Sequence, residues 1–125
     1  MSDLSPSQDL DLSFLYEIAD GSDEFIVDSI TMFLDQTPQL LDTITNAINA
    51  QDWVTAASAS HKLKPNLGFF GMPASQANIQ EVELLCKAGA PNPAEVVAKF
   101  NDVKGVVTAN LVALKKIKVE KEANL

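Results

Sequence analysis

Apolar residues recur along this chain at helical spacing, and nowhere does a run of alternating apolar and polar residues read as a strand. Asp11 to Ala19 carries Leu12, Leu15, Tyr16 and Ile18 and stops at Asp20-Gly21, a turn signal. Ser22 can cap the next helix, with Asp23 and Glu24 in its first turn. That helix runs to about Ala50 on a stripe from Phe25 and Ile26 through Ile30, Phe33 and Leu34 to Leu40, Leu41, Ile44 and Ile48. Pro38 interrupts it, so the choice lies between one kinked helix and two helices broken at Thr37-Pro38. Because the apolar phase resumes at Leu40, one kinked helix is the preferred reading.

Gln51-Asp52 starts a third helix, Trp53 to about Phe70. Met72 to Ser75 reads as a connector. The fourth helix, Gln76 to Lys87, buries Ile79, Val82, Leu85 and Cys86 and is closed by Gly89. Asn92-Pro93-Ala94-Glu95 combines an N-cap residue, a proline at the first helical position and an early glutamate. The helix it opens carries Val96, Phe100, Val103, Val107, Leu111, Leu114 and Ile117. Short connections between long amphipathic helices make sequential helices antiparallel neighbours. The expected architecture is all-α: an antiparallel up-down-up-down four-helix bundle with a short extra N-terminal helix. Residues 1–9 are expected to be a flexible N-terminus, 10–118 the bundle, and 119–125 a frayed tail.

Composition fits one small domain. The hydrophobic share of 46% is enough for a core, and no stretch reaches the roughly 18 consecutive apolar residues of a membrane span. The first residues lack the basic and apolar regions of a signal peptide, which implies a cytoplasmic protein. The starting methionine and the full set of helices suggest a free-standing module, with a module excised from a larger protein as the alternative. No second apolar stripe demands a dimer, so a monomer is expected. Cys86 is the sole cysteine, excludes an intrachain disulfide, and reads as core rather than as a reactive thiol. A net charge of −8 argues against nucleic acid and against anionic membranes as partners.

Candidate chemistry concentrates at His61, the only histidine. A lone imidazole cannot assemble a multi-histidine metal site, and no metal site is expected. Imidazole is largely neutral at pH 7 and is then a good nucleophile toward phosphorus. At about 100° per residue, Lys64, Pro65 and Gly68 fall on or near the His61 face, while Ala56, Leu63, Leu67 and Phe70 lie opposite. The histidine therefore points away from the apolar face, between a lysine and a patch without large side chains. Pro65 removes the N–H that would bond the His61 carbonyl, so the helix either continues with a bend or ends near Lys64. The phase of Leu67 and Phe70 favours continuation. Gly68 and Gly71 are read as serving close approach or helix geometry. Ala57, Ser58 and Met72 share the histidine face and are candidates for a docking surface, with further docking residues on the first two helices.

The run His61-Lys62-Leu63-Lys64-Pro65, with Gly71 ten positions after the histidine, resembles the motif of histidine-containing phosphotransfer (HPt) domains. Pro65 departs from the small residue usual there. The resemblance extends over about residues 10–118 in helix order and length, and the family has the four-helix arrangement expected above. It implies that His61 accepts a phosphoryl group, that Lys64 stabilises its charge, and that the chain relays it between receiver-domain aspartates of response regulators. The implied partners are receiver domains and a hybrid sensor histidine kinase. Mg²⁺ would belong to the receiver, and no cofactor is expected on this chain. The expected role is a phosphoryl carrier without kinase or phosphatase activity of its own, since no Walker-type loop is present. No carboxylate lies three or four positions from His61 to orient the imidazole on its own helix. The rival reading is a helical adaptor that binds a partner without phosphotransfer.

Overall fold

Five helices carry the fold in this computed structural model, which describes residues 9–125. They are α1 (Ser13–Ala19), α2 (Asp23–Asn49), α3 (Trp53–Phe69), α4 (Pro73–Lys87) and α5 (Pro93–Glu122). Connections of three residues join α2 to α3 and α3 to α4, and five residues join α4 to α5. Such short links force antiparallel neighbours. Packing of α2 on α3, α3 on α4, α4 on α5 and α5 back on α2 closes the bundle, and α1 lies against α2. Among the described residues no helix is long and apolar enough to cross a membrane.

Most of the predicted stripe positions form the core, whereas Tyr16, Ile18 and Phe25 are exposed. Ile30, Ile44, Leu63, Leu67, Ile79, Val82, Val96, Val103, Val107 and Leu114 are fully buried. Each such aliphatic side chain contributes roughly 1.5–3 kcal/mol relative to exposure. The helix starts follow their local chemistry. Ser22 Oγ accepts from Phe25 N–H at 3.1 Å, and Asp52 Oδ1 accepts from Thr55 N–H at 3.1 Å. Asn92 stands at the N-cap of α5 with no side-chain capping bond, so there Pro93 at the first turn carries the signal. α2 passes through Pro38 as one helix, as the resumed apolar phase predicts.

Three boundaries differ from expectation. Met72-Pro73-Ala74-Ser75 is not a connector: α4 starts at Pro73, whose fixed φ suits the first helical position. Proline has no N–H, and the next two donors are capped from outside the helix by Asp9. Its Oδ1 accepts from Ala74 N–H at 2.9 Å, and its Oδ2 accepts from Ser75 N–H at 3.0 Å and Ser75 Oγ at 2.6 Å. The Asp9 carbonyl also accepts from Nδ2 of buried Asn110 on α5 at 3.1 Å. Asp9 is therefore a tie across the bundle end rather than part of a loose terminus; residues 1–8 lie outside the described residues. At the other end α5 runs on to Glu122 instead of fraying after Lys118. Lys121 Nζ reaches Asp23 Oδ1 at 3.4 Å and sits 5.4 Å from the centroid of the Tyr16 ring, so this last turn has partners on α1 and α2.

Candidate functional site around His61

Helix α3 continues through Pro65 to Phe69, which resolves the choice left open by that proline. Its inner face, Ala56, Leu63 and Leu67, is fully buried, and the His61 side chain on the outer face is 66% exposed. The imidazole is oriented by α4. His61 Nδ1 lies 2.9 Å from Glu83 Oε2, and the Glu83 carboxylate is 4% exposed. Lys64 Nζ donates to Glu83 Oε1 at 3.2 Å, and Lys87 Nζ reaches Oε2 at 2.9 Å. One buried carboxylate thus gathers an imidazole and two ammonium groups.

Burial pushes the Glu83 carboxyl up, but bonds from Lys87, Lys64 and His61 together outweigh it and hold the group at about 2, below the usual 4.5. Glu83 is therefore ionised at neutral pH and can only accept hydrogen bonds. The neutral imidazole must then carry its proton on Nδ1, which leaves the lone pair on Nε2 for chemistry. Two ammonium groups against one carboxylate leave the cluster with one positive charge when the imidazole is neutral. The arrangement can hold a nucleophilic nitrogen in one tautomer and attract an anion to it.

The Glu83 cluster carries a pH signature. A carboxyl depressed in the folded state adds stability above its unfolded value and loses it as pH falls through the folded one. Urea stability is expected to be flat in this contribution above about pH 4.5 and to lose on the order of 1–2 kcal/mol between 4.5 and about 2, after allowing for solvent around the exposed partners. Glu83→Gln should flatten that part of the profile. An unchanged acid limb in the variant would show that the carboxylate is not held by these donors.

The glycines have different tasks from one another. The Gln76 side chain of α4 occupies the space where a Gly68 Cβ would stand, and Gln76 Nε2 donates to the Lys64 carbonyl at 3.3 Å. Gly68 thus lets α4 approach the helix segment that carries Lys64. Gly71 lies beyond the helix with φ +66, its carbonyl accepts from Asp11 N–H at 2.8 Å, and the Asp11 backbone fills the place of a Cβ. It is a turn and packing residue.

The proposed docking set needs correction. Met72 is fully buried, because α3 ends at Phe69 and the turn at Gly71 carries the chain off the helical phase that put Met72 beside His61. Ala57 is 5% exposed and forms floor rather than rim. Ser58 is exposed. An open groove of about 480 Å³ runs beside the histidine, with Val54, Ala57 and Ser58 from α3 and Glu83, Cys86 and Lys87 from α4 among its lining residues. Cys86 is buried there, and burial pushes its thiol up, in keeping with the core reading. On the α2 side of α3, Met32 is 59% exposed beside a smaller groove that includes Phe69 and Asn66. Phe14 of α1, 50% exposed, meets the Phe69 ring edge-on at 5.5 Å. These apolar side chains on α1 and α2 are the outermost ones the sequence left unspecified.

Glu83 and Lys87 are the two site residues that sequence reasoning missed. A signal for Glu83 was present. It sits in phase with Ile79, Val82 and Cys86 on the apolar stripe of α4, and a carboxylate on a buried face requires partners. What α4 faces was not written in that stripe.

The sequence model of one family, described as Hpt domain, matches residues 28–116 of the chain, which covers α3 and α4 in full. No curated protein and no solved structure matches it.

Proposed function

Because the chain belongs to the Hpt domain family, whose members serve phosphotransfer in two-component signalling, we propose that it relays a phosphoryl group between receiver-domain aspartates through Nε2 of His61. The observation that carries this reading is the bond between His61 Nδ1 and the ionised Glu83. It keeps the proton on Nδ1 and the lone pair on Nε2, which is the state a nucleophile needs.

The transfer requires little from this chain. The Nε2 lone pair attacks the phosphorus of an aspartyl phosphate, the bond from phosphorus to the aspartate oxygen breaks, and its electron pair leaves on that carboxylate. The imidazole gains positive charge as the new bond forms, and Glu83 lies against its Nδ1–H to offset it. Lys64 can turn from Glu83 toward the phosphoryl oxygens and neutralise part of their charge. Reversal of the same steps returns the group to a second aspartate. Mg²⁺ is assigned to the receiver's acidic site. The upstream donor in this reading is a hybrid sensor histidine kinase, and the carrier acts as a monomer with no kinase or phosphatase activity of its own.

Exposed apolar residues beside the histidine suit a receiver surface. Val54 is 82% exposed on the His61 face of α3, and Phe14 and Met32 extend the apolar area over α1 and α2. Lys62, exposed next to His61, complements an acidic partner.

The test is phosphorylation with phosphoramidate followed by addition of receiver domains with Mg²⁺. One acid-labile phosphoryl group by intact mass, lost from this chain as it appears on a receiver aspartate, is the expected result. A chain that takes no label, or labelled protein that passes nothing to any receiver of its source organism, would leave binding without transfer as its function.

A further inference from the structure

The two lysines on Glu83 are not equivalent. Lys64 comes from the histidine's own helix, and its side chain is 27% exposed. Lys87 comes from α4, is 60% exposed, and shares the acceptor oxygen Oε2 with His61 Nδ1. An ammonium and an imidazole nitrogen that each lie 2.9 Å from one oxygen are no more than about 6 Å apart. Because most of its side chain is in solvent, it can change rotamer without opening the core. It also lines the groove beside His61.

Resting on the phosphotransfer reading above, we infer that Lys87 is a second binding residue for the phosphoryl group on His61. Glu83 holds its ammonium beside the imidazole while Nε2 is free, and the ammonium moves onto the phosphoryl oxygens once Nε2 carries them. The competition favours this move. A phosphoryl group approaches two negative charges at neutral pH, against one on Glu83, and attraction scales with charge. A single lysine leaves such a group under-neutralised. Lysine suits the exchange because its ammonium is a compact charge with three donors and no fixed geometry to lose. Glu83 is not stranded when Lys87 leaves, since the Nδ1–H of an imidazole made more positive by the phosphoryl bond stays against it. The cation is delivered by α4, so phosphoryl binding depends on the α3–α4 contact and not on the His61 helix alone.

The experiment compares the phosphoryl titration of wild-type protein, Lys87→Gln, Lys87→Arg and Lys99→Gln, each phosphorylated at His61 with phosphoramidate and followed by ³¹P NMR against pH. Lys99 pairs with Glu81 at 2.7 Å and serves as the charge control. A cation in contact favours the doubly ionised phosphoryl group, so its loss raises the titration midpoint. Lys87→Gln is expected to raise it by on the order of half a pH unit, the scale of an exposed ion pair. Lys87→Arg, which keeps the cation, should return the midpoint most of the way to the wild-type value, and Lys99→Gln should match wild type. Coincident curves for wild type and Lys87→Gln would overturn the role of Lys87 while leaving His61 as acceptor. An equal shift in Lys99→Gln would overturn it as well, by reducing it to overall charge. Wild-type protein that takes no phosphoryl group would end both this inference and the reading beneath it.

Discussion

His61→Gln is expected to abolish phosphoryl acceptance completely while leaving the fold in place. Glutamine has no nitrogen nucleophile, but its amide can still donate to Glu83, so the buried carboxylate keeps a partner on that side. The side chain is two-thirds exposed and contributes little to the core, so unfolding by urea should shift by less than about 0.5 kcal/mol. Intact mass after phosphoramidate treatment should show no added phosphoryl group, and helicity should match wild type. A variant that still takes one acid-labile phosphoryl group would move the acceptor to another residue and sink the assignment. A variant that retains every partner-dependent function of the wild type would favour an adaptor.

The second large effect is on stability. Gly71→Ala should cost on the order of 3–4 kcal/mol, among the largest single-residue losses in the chain. Two separate penalties combine there. The φ of +66 is unfavourable for any residue with a Cβ, and that Cβ would collide with the Asp11 backbone. Backbone cannot swing aside as a side chain can, so the segment from Asp9 to Asp11 would have to move. That movement would loosen the Asp9 bonds to Ala74 and Ser75 and leave buried Asn110 without its acceptor. Gly105→Ala is the contrast. Gly105 lies within α5 with open space around it, and alanine there should stabilise by up to about 1 kcal/mol. Urea denaturation of both variants decides the point; a Gly71→Ala variant as stable as wild type would show that the Asp9–Asp11 segment is not packed on the turn.

His61, its exposure and the inward face of α3 were legible because a helix repeats every few residues, and the period of apolar positions is a local property. The same holds for the cap at Ser22, for the start of α3 at Gln51-Asp52 and for the passage of α2 through Pro38. Met72 failed for the complementary reason. Its predicted position extended the α3 phase past Phe69, and one left-handed residue at Gly71 was enough to invalidate the extension. Gly68 was legible as a site of close approach, but the neighbour that approaches it, Gln76, was not.

The sequence by itself determined an all-helical bundle, its element order, its apolar faces and an outward-facing histidine. Each of these follows from interactions within a turn or two of one helix. The tertiary structure alone decided that α4 turns Glu83 toward His61 across 22 positions, and that Asp9 caps α4 across 66 positions. Apolar burial is non-directional, so it brings helices together without naming which polar groups will meet. Those meetings are selected by the cost of burying a carboxylate or an N–H without a partner, and that cost is settled only when the helices are packed.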